Sequence, residues 1–207
     1  MRHENVLLLI RHCETALNER HAYIGRTDEA LSENGRMRAE EIRRRESPLL
    51  GKVGRVFCSP MKRCRETAEI LFPKQTRNMV TVPEWAEIDF GSFEGKNYEE
   101  LSGDPEYQSW IESGGTKCFP SGEDRDSFIR RSNEGLATVC RMIGIEGTVS
   151  RLNTEANIYA AVLHGGNIMA VMSTLFGGDF YDYQPKPGQI YIIRFSDGKV
   201  SCLRNIN

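Results

Sequence analysis

The tract Arg11-His12-Cys13-Glu14-Thr15, followed by Asn18, sets a guanidinium beside an imidazole. Imidazole, with an unperturbed pKa of about 6.5, is largely neutral and nucleophilic at neutral pH. Arginine presents a rigid donor fork suited to phosphate oxygens. On its own the pair is weak evidence, because a lone strand-end histidine is more often a surface or satisfied core residue. Three further tracts change that balance.

The first is Ser59-Pro60-Met61-Lys62-Arg63-Cys64-Arg65-Glu66-Thr67-Ala68. It puts Arg63 in the first turn of a helix, where free backbone N–H groups and the positive dipole end favour an anion. The bland alternative is a basic turn facing water. The second, His164-Gly165-Gly166-Asn167, follows an apolar run, and its glycines allow a tight turn and close approach of backbone to ligand. The third runs from Glu84 to Gly95 and carries Glu87 among apolar neighbours. A carboxyl group so placed can stay protonated near neutrality and act as a general acid.

These residues need a scaffold that brings them to one rim. Val6 to Ile10 is a continuous apolar run, as in a parallel strand buried on both faces. Val53–Cys58 reads as a second, short strand and Asn157–Leu163 as a third, buried one. Ser32 caps a helix running through Arg45 and stopped before Pro48, with Glu40/Arg44 and Glu41/Arg45 spaced as i,i+4 pairs on a solvated face. Ser59-Pro60 predicts an N-cap followed by proline at the first helical position, with the helix ending near Phe72-Pro73. Residues 97–113 read as helical pieces broken near Gly103 to Pro105. Longer helices are expected over Asp124–Ile143 and Gly166–Leu175, and Asp197-Gly198 joins a terminal hairpin of Gln189–Phe195 with Val200–Leu203. Strands alternating with helices give a single α/β domain over residues 1–207, an open, mostly parallel sheet with helices on both faces. Such sheets bind ligands at the carboxyl ends of their strands, which is where His12 and His164 fall.

Composition narrows the partners. Against 29 Asp and Glu stand 27 Lys and Arg, a net charge of −2, so nothing draws the whole chain to nucleic acid or an anionic membrane. No stretch approaches the roughly 20 apolar residues of a membrane helix. Six cysteines without a C-x-x-C pair read as reduced thiols, which fits a cytoplasmic protein. No ligand spacing supports a metal site built from His12, Cys13 and Cys58. His3 reads as a frayed terminal residue and His21 as an exposed loop residue, with substrate contact the alternative because it precedes the Tyr23 loop. Tyr107 and Trp110 either cover the pocket or pack in the core.

Taken in order, Arg-His, Ser-Pro-x-x-Arg-x-x-x-Thr-Ala, Glu-x-x-x-Gly-x-x-Glu-Gly and His-Gly-Gly resemble the histidine phosphatase superfamily, which includes the cofactor-dependent phosphoglycerate mutases. The resemblance covers about residues 5–175. It implies a phosphoglycerate mutase-like fold, His12 as nucleophile and Glu87 as proton donor. Arg11, Asn18, Arg63 and His164 would hold the phosphoryl group, with no metal or cofactor required. His164 is expected to be cationic once substrate is bound. Tyr23-Ile24-Gly25-Arg26-Thr27-Asp28, the tract from Glu87 to Gly95, and Pro120-Ser121-Gly122-Glu123 are most similar to alpha-ribazole phosphatases of cobalamin biosynthesis. That similarity assigns substrate contacts to Tyr23, Gly25, Arg26, Thr27 and Gly165. The expected ligand is a small phosphorylated metabolite. Mutase-type phosphoryl transfer is the alternative within the enzyme class, and oligomeric state, a homodimer included, is left open.

One departure matters. Cys13 stands where the superfamily usually has glycine. If that position needs a positive φ, strain displaces His12 and leaves a catalytically impaired phosphate binder. If the angle is ordinary, cysteine is tolerated and is expected to make activity sensitive to oxidation.

Overall fold

The computed structural model describes residues 4–145, 158–196 and 199–206. Through these the chain forms β1 (Glu4–Arg11), α1 (Ala16–Glu19), α2 (Glu33–Arg45), α3 (Ser47–Leu50), β2 (Arg55–Cys58), α4 (Lys62–Leu71), β3 (Val80–Thr81) and α5 (Tyr98–Leu101). It continues with α6 (Pro105–Glu112), α7 (Arg125–Met142), β4 (Ile158–Leu163), α8 (Gly165–Phe176), β5 (Ile190–Ser196) and β6 (Lys199–Ile206).

The strands make one sheet in the order β3-β2-β4-β1-β5-β6. The first four are parallel, and the terminal hairpin adds two antiparallel strands. Burial on both faces explains the unbroken apolar runs. Leu7 and Leu9 pack one face of β1 against Leu136, Val139, Ile168 and Val171 of α7 and α8. Leu8 and Ile10 pack the other against Ala39, Ile42, Ala68 and Leu71 of α2 and α4. Each such leucine or isoleucine contributes roughly 1.5–3 kcal/mol on burial. A third cluster, including Ile88, Phe93, Leu101, Tyr107, Phe119 and Phe128, joins the 88–119 segment to α7. This is the expected α/β architecture, an open, mostly parallel sheet with helices on both faces.

Several local expectations are corrected. α4 begins at Lys62 with Met61 as its cap, so Ser59 is not the N-cap and Pro60 does not open the helix. The Ser59 hydroxyl is committed elsewhere, to His164 at 2.7 Å. α2 ends at Arg45 as expected, but Pro48 opens a further short helix, where its missing N–H costs nothing. β2 starts at Arg55 rather than Val53. α1 and β3 had no counterpart in the sequence reading, being too short for periodicity to register. The expected turn at Asp197-Gly198, the start of the third strand at Asn157, and His3 lie outside the described residues.

Candidate active site

Strand register brings the two histidines together. β1 and β4 run parallel with Arg11 opposite Leu163, so His12 and His164, each the next residue, leave the sheet as neighbours. Their ring centroids are 5.1 Å apart, and both rings are buried. The His12 backbone N–H donates to the Leu163 carbonyl at 2.9 Å. On the side chain, Nδ1 lies 2.7 Å from the Cys13 carbonyl. A carbonyl only accepts, so the proton sits on Nδ1 and Nε2 keeps its lone pair. Burial, reinforced by Arg63 and then Arg11, holds the His12 pKa well below its ordinary value. The imidazole is therefore neutral, with its free lone pair on Nε2.

His164 caps α8 and is bonded on both ring nitrogens. Arg63 Nε donates to Nδ1 at 3.2 Å, so the His164 proton is on Nε2, which donates to Ser59 Oγ at 2.7 Å. Burial, then Arg63, lowers its pKa well below the usual imidazole value, so without an anion beside it His164 is neutral.

Arg63 is wholly buried in the first turn of α4. Besides His164 it donates to the Thr27 carbonyl (2.7 Å, Nη1) and the Gly25 carbonyl (2.8 Å, Nη2). Those carbonyls are held by Glu94, a motif position to which the sequence reading gave no role. Its carboxylate accepts from the N–H groups of Gly25 (3.0 Å), Arg26 (2.8 Å), Thr27 (3.3 Å) and Phe90 (3.2 Å), and from the Thr27 hydroxyl (2.7 Å). The loop's amides thus enclose an internal anion while its carbonyls aim Arg63. Gly25 is required by space, because a Cβ there would overlap the Ile88 carbonyl.

Arg11 and Glu87 both line a cavity of about 360 Å³. Arg11 Nη1 donates to the Pro185 carbonyl at 2.6 Å, whereas its buried Nε has no protein partner. An unpaired buried guanidinium N–H is costly and marks a place for an anion. The Glu87 carboxyl accepts from the Ile88 N–H (2.9 Å) and the Gly166 N–H (3.3 Å). Burial nevertheless dominates and raises its pKa, keeping it protonated further up in pH than an ordinary glutamic acid. A Cβ on Gly166 would come within 2.5 Å of the Glu87 carboxyl, so glycine lets α8 start against it. From α7, Arg131 gathers the carbonyls of Glu84 (2.8 Å), Ala86 (2.5 Å) and Glu87 (3.0 Å) and forks onto Glu123 at 2.7 Å. That clamp also escaped the sequence reading, since it joins three separate segments.

Of the sequence-predicted residues, Arg11, Asn18, Tyr23, Glu87 and Gly165 line the cavity. His12, Arg63 and His164 are buried and do not line it; His12 and His164 adjoin the wall residues Arg11 and Gly165 in the chain. The Asn18 oxygen accepts from Thr15, leaving its NH₂ group as the donor end. Gly25, Arg26 and Thr27 lie off the cavity wall, and their amides serve Glu94 instead of a substrate. His21 is exposed and off the wall too. Tyr107 is core, bonded through its hydroxyl to Tyr23 at 3.2 Å, whereas Trp110 lines the cavity.

Cys13 is placed without backbone strain. Among the described residues only His21 and Ser121 are non-glycine residues with positive φ. Its thiol turns away into the α2 and α4 core, and burial pushes its pKa up to about 12. The expected oxidation sensitivity is therefore overturned, because oxidation needs an accessible thiolate. Among the described residues no group of three or more His, Cys, Asp or Glu is arranged to hold a metal ion. No helix there is long and apolar enough to cross a membrane.

Residues 7–207 match the family described as histidine phosphatase superfamily (branch 1). The bifunctional protein Rv2228c of Mycobacterium tuberculosis is 31% identical over 147 residues, 68% of this chain and 38% of that protein, so the match spans well under half of that relative. The alpha-ribazole phosphatase of Shigella flexneri superposes with a TM-score of 0.81 at 22% identity, over 98% of this chain and 96% of that one. A mutant phosphoserine phosphatase from Entamoeba histolytica, in complex with phosphoserine, superposes at 0.77 with 24% identity, over 97% and 96%.

Proposed function

Because this chain belongs to the histidine phosphatase superfamily, we propose that it hydrolyses a small phosphomonoester through a phosphohistidine at His12. The observation that carries the reading is the tautomer: Nδ1 is tied to a carbonyl, so the lone pair of a neutral imidazole sits on Nε2. Arg11 and Arg63 receive the phosphate. Each cation about 4 Å from a unit charge contributes on the order of 4 kcal/mol at an effective dielectric of ~20, before desolvation. The arriving dianion also favours protonation of His164, whose resting state is neutral.

His12 Nε2 attacks phosphorus in line, and the P–O bond to the leaving group breaks with its electron pair going to oxygen. Glu87 gives its proton to that oxygen, an effect worth roughly 10²–10⁴-fold. Water then attacks the phosphohistidine, Glu87 takes a proton from it, and the P–N electron pair returns to Nε2. Asn18 adds a neutral donor at the rim.

Alpha-ribazole 5′-phosphate is our candidate substrate, supported by the motif similarity and by the likeness of fold to an alpha-ribazole phosphatase. The phosphoserine phosphatase shares the fold as well, so the substrate must be chosen by assay. Phosphate release from a panel of small phosphoesters, with His12→Ala as control, tests the reading. The expected result is turnover by the native chain, acid-labile phosphate on His12, and free phosphate as product. Equal, negligible turnover by both proteins would refute it, and transfer of phosphate to a second alcohol in place of water would make the chain a mutase.

A further inference from the structure

α8 starts beside Glu87 at Gly165 and Gly166 and carries the cavity wall on through Met169. Phe180, also on the wall, packs on the third core cluster. That cluster reaches α8 at Ala170, about 7.5 Å along the helix axis from Gly165. Next in the chain stands Tyr181, its ring centroid 5.2 Å from that of Phe180. At about 360 Å³ the cavity lies toward the small end of ligand pockets, which run roughly 300–1,000 Å³. How far a leaving group can reach from the phosphate end therefore depends on where the wall closes.

Two separate segments close it together. A Cβ on Gly115 would stand 3.1 Å from Tyr181 Oη and 3.2 Å from Trp110 Cζ2. All three residues line the cavity, so the wall passes at this point from the chain after α6 to the chain after α8. The contact is prepared locally. Gly114 and Gly115 have φ of 66° and 70°, and the turn brings the Gly115 N–H back to the Trp110 carbonyl at 3.2 Å. Any side chain at position 115 would be wedged between the two rings. Trp110 is braced by the rings of Tyr107, at 6.2 Å, and Phe119, at 5.0 Å. Tyr181 is 45% exposed, so its outer side faces water and it can be truncated without opening the core.

We infer that Tyr181, closed against Gly115 and the ring edge of Trp110, is a specificity-determining stop that limits how far the leaving group extends from the phosphate. This deepens the phosphatase reading and rests on it. The substrate class is then a compact phosphomonoester that fits between the Arg11 and Glu87 end and this closure. A phosphorylated polypeptide or a long-chain ester is shut out. The reaction is the hydrolysis already described, so no further chemistry is needed.

The test measures kcat/KM along the n-alkyl phosphates from ethyl to decyl, whose leaving oxygens are alike, so the series reads the space beyond them. On the native chain kcat/KM should rise about two- to fourfold per methylene while the chain fills apolar wall. It should then fall about tenfold at the first length that meets the stop. Tyr181→Ala should move that break outward by several carbons, raising the first excluded ester about tenfold relative to the last accepted one. Tyr181→Phe keeps the ring and should keep the break in place. A native series without a break would overturn the inference, as would a break unmoved in Tyr181→Ala or moved equally far in Tyr181→Phe. Release of phosphate from a serine-phosphorylated peptide as fast as from ethyl phosphate would also count against it. Should Tyr181→Ala fail to fold, Tyr181→Leu repeats the comparison, and the native series still decides. These failures are distinct from failure of the catalytic reading, in which no ester gives phosphate release that His12→Ala abolishes.

Discussion

Replacing Glu94 by glutamine tests how Arg63 is held. The side chain keeps its shape, and one oxygen still accepts from Gly25, Arg26 and Phe90. The other becomes an NH₂ group facing the Thr27 N–H, now 3.3 Å from an acceptor, and the Thr27 hydroxyl at 2.7 Å. The hydroxyl can turn and accept, whereas the Thr27 N–H loses its partner. One charge-assisted bond is lost and the rest are weakened, about 2 kcal/mol in total after allowing for partial exposure. For a chain of this size each 1 kcal/mol moves the melting temperature by roughly 2–4 °C, so a fall of about 4–8 °C is expected. The kinetic effect should be larger. The Thr27 and Gly25 carbonyls are the fixtures of Arg63, and displacing a binding group by ~1 Å can cost about 10²-fold. Benzyl phosphate hydrolysis should therefore drop about 10- to 100-fold in kcat/KM. In an Arg63→Met background the same substitution should add little, because the group it positions is gone. Activity within about threefold of the native chain, or full additivity with Arg63→Met, would show that Glu94 does not act through Arg63.

The pH profile is expected to be broad on the acid side. His12 stays neutral well below the ordinary imidazole range, so the acid limb of kcat/KM should lie below pH ~6.5. Glu87 must be protonated and its pKa is raised, so the alkaline limb should vanish in a slow Glu87→Gln variant; survival of that limb counts against Glu87 as the acid. Stability follows the same protons. As pH falls below about 6.5 the unfolded chain protonates its histidines before native His12 and His164 do, so stability falls toward acid. Glu87, raised, acts oppositely, so urea midpoints at pH 5 and 7 in Glu87→Gln isolate the histidines; a higher midpoint at pH 5 refutes this. Arg131→Met should loosen residues 84–87 and slow turnover by about tenfold or more, with Glu123→Gln milder, as read by steady-state kinetics. Iodoacetamide should label exposed Cys118 and Cys202 while Cys13 resists, checked by peptide mass mapping; early labelling of Cys13 contradicts its placement.

The sheet and its two histidines were legible because an unbroken apolar run followed by a polar residue marks a strand end, and parallel neighbours end together. Arg63 was legible from its place in a first helical turn. What stayed hidden depends on contacts between segments. The tract Tyr23–Thr27 looks like a substrate loop until Glu94, nearly seventy residues away, is seen in the centre of its amides. Ser59-Pro60 carries a local capping signal that loses to a tertiary bond with His164. Trp110 and Tyr107 are alike by sequence, and only packing sends one to the wall and the other to the core.

The pairing of β1 with β4 joins the first strand to one that emerges late in synthesis. A nascent chain thus holds half of its phosphate pocket until the remainder leaves the ribosome, and no early fragment should bind the ligand. On the proposed reading, phosphate seated between the two strand ends becomes a clasp between distant stretches of chain, and should protect the central sheet amides from hydrogen exchange more than the outer helices.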